Sequence, residues 1–207
     1  MFEFFFNTYK NATTLQILLE TATFVFGILS VWFAKKENIL VYPTGIVATI
    51  ITSYLLFIAG YFGDMIINLY FTIMSVYGWL MWSKISNETN NLKISCANHN
   101  DKINGFLFFF ITIIFVLIIY KIIGNKIEIE NYFDILTSGI FFVAMWLMAR
   151  KKLENWTLWI VGNLIVMPLY AYRGLTILAI QYFIFTILAI LAHQEWNKTY
   201  NKSQLTS

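Results

Sequence analysis

Seven apolar stretches, each about the length of one bilayer crossing, are strung along this chain and separated by short polar segments. They are Leu15–Ala34, Ile39–Ala59, Met65–Trp82, Gly105–Ile123, Ile135–Ala149, Trp156–Tyr172 and Leu175–His193. A hydrocarbon core of about 30 Å needs about 20 mostly apolar residues in a helix. The fifth stretch is the shortest, and an extension of its start back to Tyr132 lengthens it. A β-barrel also satisfies its backbone inside lipid, but its strands alternate apolar and polar residues. Runs such as Phe106–Tyr120 do not alternate, so the pattern predicts helices. The opening MFEFFF has no basic n-region, and no small-residue cleavage site follows the first stretch. No removable signal peptide is expected.

Composition agrees with this reading. The chain has 207 residues, 59% hydrophobic and 12% charged, where a soluble domain carries about 25% charged. A soluble domain of this size cannot bury so much apolar surface. The class is an all-α integral membrane protein. Charge then sets its orientation. With seven spans, one side carries Lys10, Lys121, Lys126 and Arg173, and the other side carries the remaining 10 of the 14 cations. The positive-inside rule puts the N-terminus outside and the C-terminus in the cytoplasm. The net charge of +3 calls for anionic lipid rather than nucleic acid.

The chain resembles itself. A Lys-Lys pair leads into Glu-Asn after the first span (Lys35 to Asn38) and again after the fifth (Lys151 to Asn155). In each case a glycine follows the Asn by seven residues, at Gly45 and Gly162, preceded by Tyr42 or Trp159. Each third helix closes on Trp with Lys two residues later, at Trp82/Lys84 and Trp196/Lys198. Spans 1–3 and 5–7 therefore read as two three-helix units. Span 4 is the linker that lets both units share one orientation, a 3+1+3 parallel repeat. The expected divisions are an outer N-terminal segment 1–14, a first repeat 15–84, a polar loop and linker helix 85–131, a second repeat 132–198 and a cytoplasmic tail 199–207. The loop 83–102 is expected only to join the first unit to the linker, and the chain after Trp196 to lack structure.

Much chemistry is missing. Cys96 and His99 stand three apart in a polar loop, and two ligands do not make a zinc site. There is no phosphate loop, no G-x-S-x-G or H-E-x-x-H, and no lysine from Leu175 to Ala192 for a retinal Schiff base. No metal, cofactor or catalytic residue is expected. The notable features are polar groups at membrane depth. Glu20 lies about 8 Å into the first span, and Asn68 lies one turn into the third, beside Asp64. In the sixth, Trp159 and Asn163 share a face near mid-membrane, and Tyr170 follows past Pro168. Gln181 and Tyr182 lie at comparable depth in the seventh. An indole beside an amide suits a flat, cationic ring with hydrogen-bonding edges. The alternative use of these groups is to hold helices together through interhelical hydrogen bonds.

At these residues the sequence resembles the Pnu-type vitamin transporters, whose best-known members carry nicotinamide riboside. The resemblance runs from Glu20 to Trp196. It rests on Glu20, on Ala34-Lys-Lys-Glu-Asn-Ile-Leu-Val-Tyr-Pro43, on Tyr77-Gly-Trp-Leu-Met-Trp82, and on Glu154-Asn-Trp-Thr-Leu-Trp159 leading through Asn163 to Leu169-Tyr170. It implies a SWEET-like helix arrangement, often a homotrimer. It also implies facilitated diffusion, with the vitamin trapped by a cytoplasmic kinase. It places Trp159 and Asn163 at the substrate, and Trp79, inside its second motif, joins the candidates. The chain departs from the family at Tyr42, where Trp is usual, at Asn68, where Gln is common, and at Ala192, where Gly is expected. Relatives of that family carry thiamine or riboflavin-like compounds, so thiamine is the alternative cargo. A membrane scaffold or membrane enzyme is the alternative class.

Overall fold

The computed structural model describes residues 13–58, 62–86, 92–123, 129–172 and 176–205. They form seven helices: α1 Thr14–Lys35, α2 Val41–Ile58, α3 Phe62–Ser86, α4 His99–Ile123, α5 Ile129–Ala149, α6 Glu154–Tyr172 and α7 Thr176–Leu205. The residues before Thr13, and Lys126 and Arg173, lie outside the described set. Six helices are long and apolar enough to cross a membrane. The exception, α6, has the length at 19 residues, but Glu154, Asn155 and Asn163 make it more polar. Asn155 and Asn163 are buried among the other helices, whereas Glu154 is half-buried at the helix start.

Apolar side chains cover the outside. Phe106, Leu107, Ile114 and Ile118 of α4 are all at least half exposed, as expected of a protein solvated by acyl chains. The span of α5 is 72% buried against 6% for α1, so α5 is the central helix. Local capping explains where helices begin. Thr13 accepts from the Gln16 backbone N–H at 3.3 Å, and the Gln16 side chain accepts from the Thr13 N–H at 3.0 Å, a capping box opening α1.

Two turns at one end of the bundle share a single hydrogen-bond pattern. After α1, the N–H groups of Glu37 and Asn38 donate to Ala34 and Phe33. After α5, those of Lys151 and Lys152 donate to Met148 and Leu147. Both are Schellman closures, which need a left-handed residue. Glu37 (φ 53°) and Lys151 (φ 51°) adopt that conformation although neither is glycine. Their side chains pair with each other, Lys151 Nζ to Glu37 Oε2 at 2.9 Å. Beyond the turns, Tyr42 meets Trp82 edge to face, and Trp156 meets Trp196 likewise. The Trp82 Nε1–H donates to the Ala149 carbonyl and the Trp196 Nε1–H to the Ala34 carbonyl, each at 3.1 Å.

Two expectations need correction. The loop before α4 does more than join elements. α4 begins at His99, and Asn98 and Asp101 cap it reciprocally through each other's backbone N–H. Ser95 pairs with the second turn through Lys151 O and Leu153 N–H, and the Glu154 carboxylate accepts the Ala97 N–H. Asp101, its side chain 1% exposed, holds Arg150 at 2.6 Å and Lys152 at 3.1 Å. These partners stand about 50 residues apart in sequence, so periodicity could not reveal them. The expected unstructured stretch after Trp196 is instead helix as far as Leu205, and Tyr200 packs against the buried cluster around Trp196.

Candidate functional site

The polar groups of α6 are held at depth by the packing around them. Gly162 lets α5 approach closely, since a Cβ there would overlap the Phe141 ring. Phe141 stacks on the Trp159 indole, with centroids 5.2 Å apart and planes 28° apart. Phe71 of α3 closes the indole from another side at 6.3 Å. Tyr182 of α7 also lies 6.4 Å from Phe141, their planes 24° apart, and Tyr182 in turn contacts Tyr170 at 5.3 Å and Phe185 at 5.8 Å. Gln181 is buried, and Gly27 of α1 faces it: a Cβ at Gly27 would stand 3.2 Å from Gln181 Nε2 and from Phe185. Side chains from α3, α5, α6 and α7 thus surround one aromatic compartment, with Gly27 of α1 at its edge.

Within it, two atoms have no partner. Asn163 is 2% exposed with Oδ1 unsatisfied, and the Trp159 Nε1–H, one turn away, is buried and equally unsatisfied. A buried polar group without a hydrogen bond costs about 1–3 kcal/mol, and native structures hold few of them. Here a lone acceptor and a lone donor share one helix face beside the stacked Phe141 and Trp159 rings. Chemically, the pair can receive a ligand edge that presents one donor and one acceptor, with its ring against the indole.

The structure brings together Trp159, Asn163, Tyr170, Gln181 and Tyr182. Asn68 is half-buried on the α3 stripe that carries Phe71 to the indole, and its carbonyl accepts the Thr72 hydroxyl. Its predicted neighbour Asp64 has a side chain outside the described set. Glu20 is exposed, two turns from Gly27 along α1. Trp79 is 42% exposed on the outward face of α3 with Val76 and Leu80, away from the compartment. Sequence reasoning missed Gly27, Phe71, Phe141 and Phe185. With 20 phenylalanines in the chain, nothing marked these three as special.

Comparison with known proteins follows the same lines. Residues 17–198 match the family described as Nicotinamide mononucleotide transporter. The chain is similar to the nicotinamide riboside transporter PnuC of Escherichia coli and to that of Shigella flexneri. In each case it is 24% identical over 202 residues, covering 86% of this chain and 84% of the relative. It is also 24% identical over 168 residues to the protein of that name from Neisseria mucosa, covering 74% of this chain and 59% of that one. Its fold matches a solved structure titled as the vitamin B3 transporter PnuC, with a TM-score of 0.74 and 21% identity over 91% of this chain and 84% of that one.

Proposed function

This chain belongs to the nicotinamide mononucleotide transporter family, and from that premise we propose that it carries nicotinamide riboside across the bacterial inner membrane by facilitated diffusion. The observation that carries the reading is the unpartnered pair Trp159 Nε1–H and Asn163 Oδ1. A carboxamide offers N–H donors beside a carbonyl acceptor, and one of each complements that pair. The pyridinium ring of the riboside is cationic and flat, and stacks well on an indole, worth about 2 kcal/mol when desolvated. Among the described residues of the compartment there is no Lys or Arg to receive a phosphate. That favours the riboside over its mononucleotide as cargo.

The 3+1+3, SWEET-like reading belongs here as well. Supporting it are the twin turns, the twin aromatic contacts and the twin indole hydrogen bonds, in which Glu37 and Lys151, Tyr42 and Trp156, and Trp82 and Trp196 all stand 114 positions apart. In this register Tyr42 corresponds to Trp156 rather than to Trp159. The Glu-Asn motif aligned the halves three residues off. The units are then 15–84 and 132–198, joined by the segment 85–131, with all seven helices crossing. The N-terminus lies outside and the C-terminus in the cytoplasm. Retention of cargo falls to a cytoplasmic kinase, and the assembly is a homotrimer.

The test is uptake of labelled nicotinamide riboside into protein-loaded vesicles without ion gradients. Saturable uptake is expected, reduced at least tenfold in Trp159→Ala and in Asn163→Ala. Uptake that stops when proton and sodium gradients are abolished would contradict the passive mechanism. Thiamine displacing the riboside from purified protein would move the cargo assignment to thiamine. A scaffold would show no thermal shift, whereas a ligand at a hundred times its Kd stabilises by about 2.7 kcal/mol.

A further inference from the structure

Asn155 opens α6 with its side chain fully buried. Its Nδ2 donates to the Lys152 carbonyl at 2.6 Å and closes the turn into the helix, while its Oδ1 has no partner. It stands four residues before Trp159 and eight before Asn163, so the three positions share one helix face about 6 Å apart. Along that face lie four unpartnered atoms: the acceptor Asn163 Oδ1, the donors Trp159 Nε1 and Trp156 Nε1, and the acceptor Asn155 Oδ1. Helical side chains lean toward the N-terminus, so the indole projects from its own turn toward the level of Asn155. Trp159 also borders the buried cluster holding Tyr42, Trp156 and Trp196, where the Tyr42 hydroxyl is likewise unpartnered.

We propose that Asn155 is a second station for the substrate, one helical turn below the central site toward the end where α5 turns into α6. The carboxamide is held first between Asn163 Oδ1 and Trp159 Nε1. It then moves to the matching pair formed by Trp159 Nε1 and Asn155 Oδ1, with the indole as common partner. This inference rests on the riboside reading of the central site. Its physical merit lies in the repetition. A ligand leaving one fully satisfied site for water loses its protein hydrogen bonds together, whereas a second pair of the same pattern lets them be exchanged one at a time. Asn155 therefore governs release to the cytoplasm in the proposed orientation, and Asn163 governs capture.

Equilibrium binding of nicotinamide riboside to purified protein and its uptake by vesicles separate the two roles. Asn155→Leu is expected to keep the wild-type Kd within about twofold and to lose about tenfold in maximal uptake rate. Asn163→Ala is expected to weaken Kd itself. Asn155→Asp keeps an acceptor but cannot donate to Lys152, and the helix N-terminus favours its carboxylate. It should retain several times the uptake of Asn155→Leu. Three outcomes overturn the proposal: affinity lost equally in Asn155→Leu and Asn163→Ala, uptake unchanged in Asn155→Leu, or Asn155→Asp and Asn155→Leu equally slow with equally lowered thermal midpoints. A wild-type protein that does not bind the riboside overturns the central-site reading, and this one with it.

Discussion

Gly162 controls how near α5 can come to α6, and through Phe141 it controls the plane on which the Trp159 indole rests. Gly162→Ala would push Phe141 aside, because its added methyl and the ring cannot share the same space. Riboside affinity should fall about tenfold, read as Kd on purified protein. Phe141→Leu removes the stacked ring while keeping an apolar side chain, and should weaken binding by a smaller factor of about three to ten, in line with the 0.5–1.5 kcal/mol that aromatic pairs contribute beyond their area. Trp79→Ala, on the outward face, should leave Kd within about twofold. Asn163, and with it the proposed partner Trp159 on the same face, stood out in the sequence because an amide at membrane depth is costly. Their aromatic walls were not, because phenylalanine is equally at home against lipid.

Among the helices and turns, the informative contacts are polar ones between distant segments. The indoles of Trp82 and Trp196 each satisfy a last-turn carbonyl of another helix, Ala149 of α5 and Ala34 of α1. Trp82→Phe and Trp196→Phe should each cost about 1–1.5 kcal/mol, seen as similar drops in the thermal midpoint. Asp101 anchors the start of α4 to the α5–α6 turn through Arg150 and Lys152. Asp101→Asn keeps the shape but removes the charge that the two cations face. It should cost on the order of 1–3 kcal/mol, checked by the same thermal measurement. Helix ends were predicted within a few residues where apolar runs stop. The starts of α4 and α5, each six residues before its apolar run, and the far end of α7 were not, because those turns are built from polar residues that hydrophobic periodicity does not mark.

Across the whole molecule, the Glu37–Lys151 pair joins the two left-handed turns, one from each proposed unit. Either single charge reversal, Glu37→Lys or Lys151→Glu, sets like charges together and should lower the thermal midpoint. The double reversal should restore it, and the coupling should reach about 1 kcal/mol because both groups are partly solvated. The proposed two-unit plan was legible as a repeated Lys-Lys, Glu-Asn pattern. Its register was not, since two turns built from different residues close with the same backbone hydrogen bonds, and only those bonds align Glu37 with Lys151.

The sequence by itself determined that this protein lives in a bilayer, that it is helical, and roughly where each helix runs. Those properties follow from local energetics: every peptide group in hydrocarbon must find a hydrogen-bond partner within the protein, and about 20 apolar residues without strand alternation do so as a helix. The tertiary structure decided which face of each helix turns inward. Lipid and protein interior are both apolar, so hydrophobicity alone does not separate the lipid face from the buried one. That choice placed Phe71 and Phe141 against Trp159 and Gly27 against Gln181, left Trp79 facing outward, and set four unpartnered polar atoms along α6.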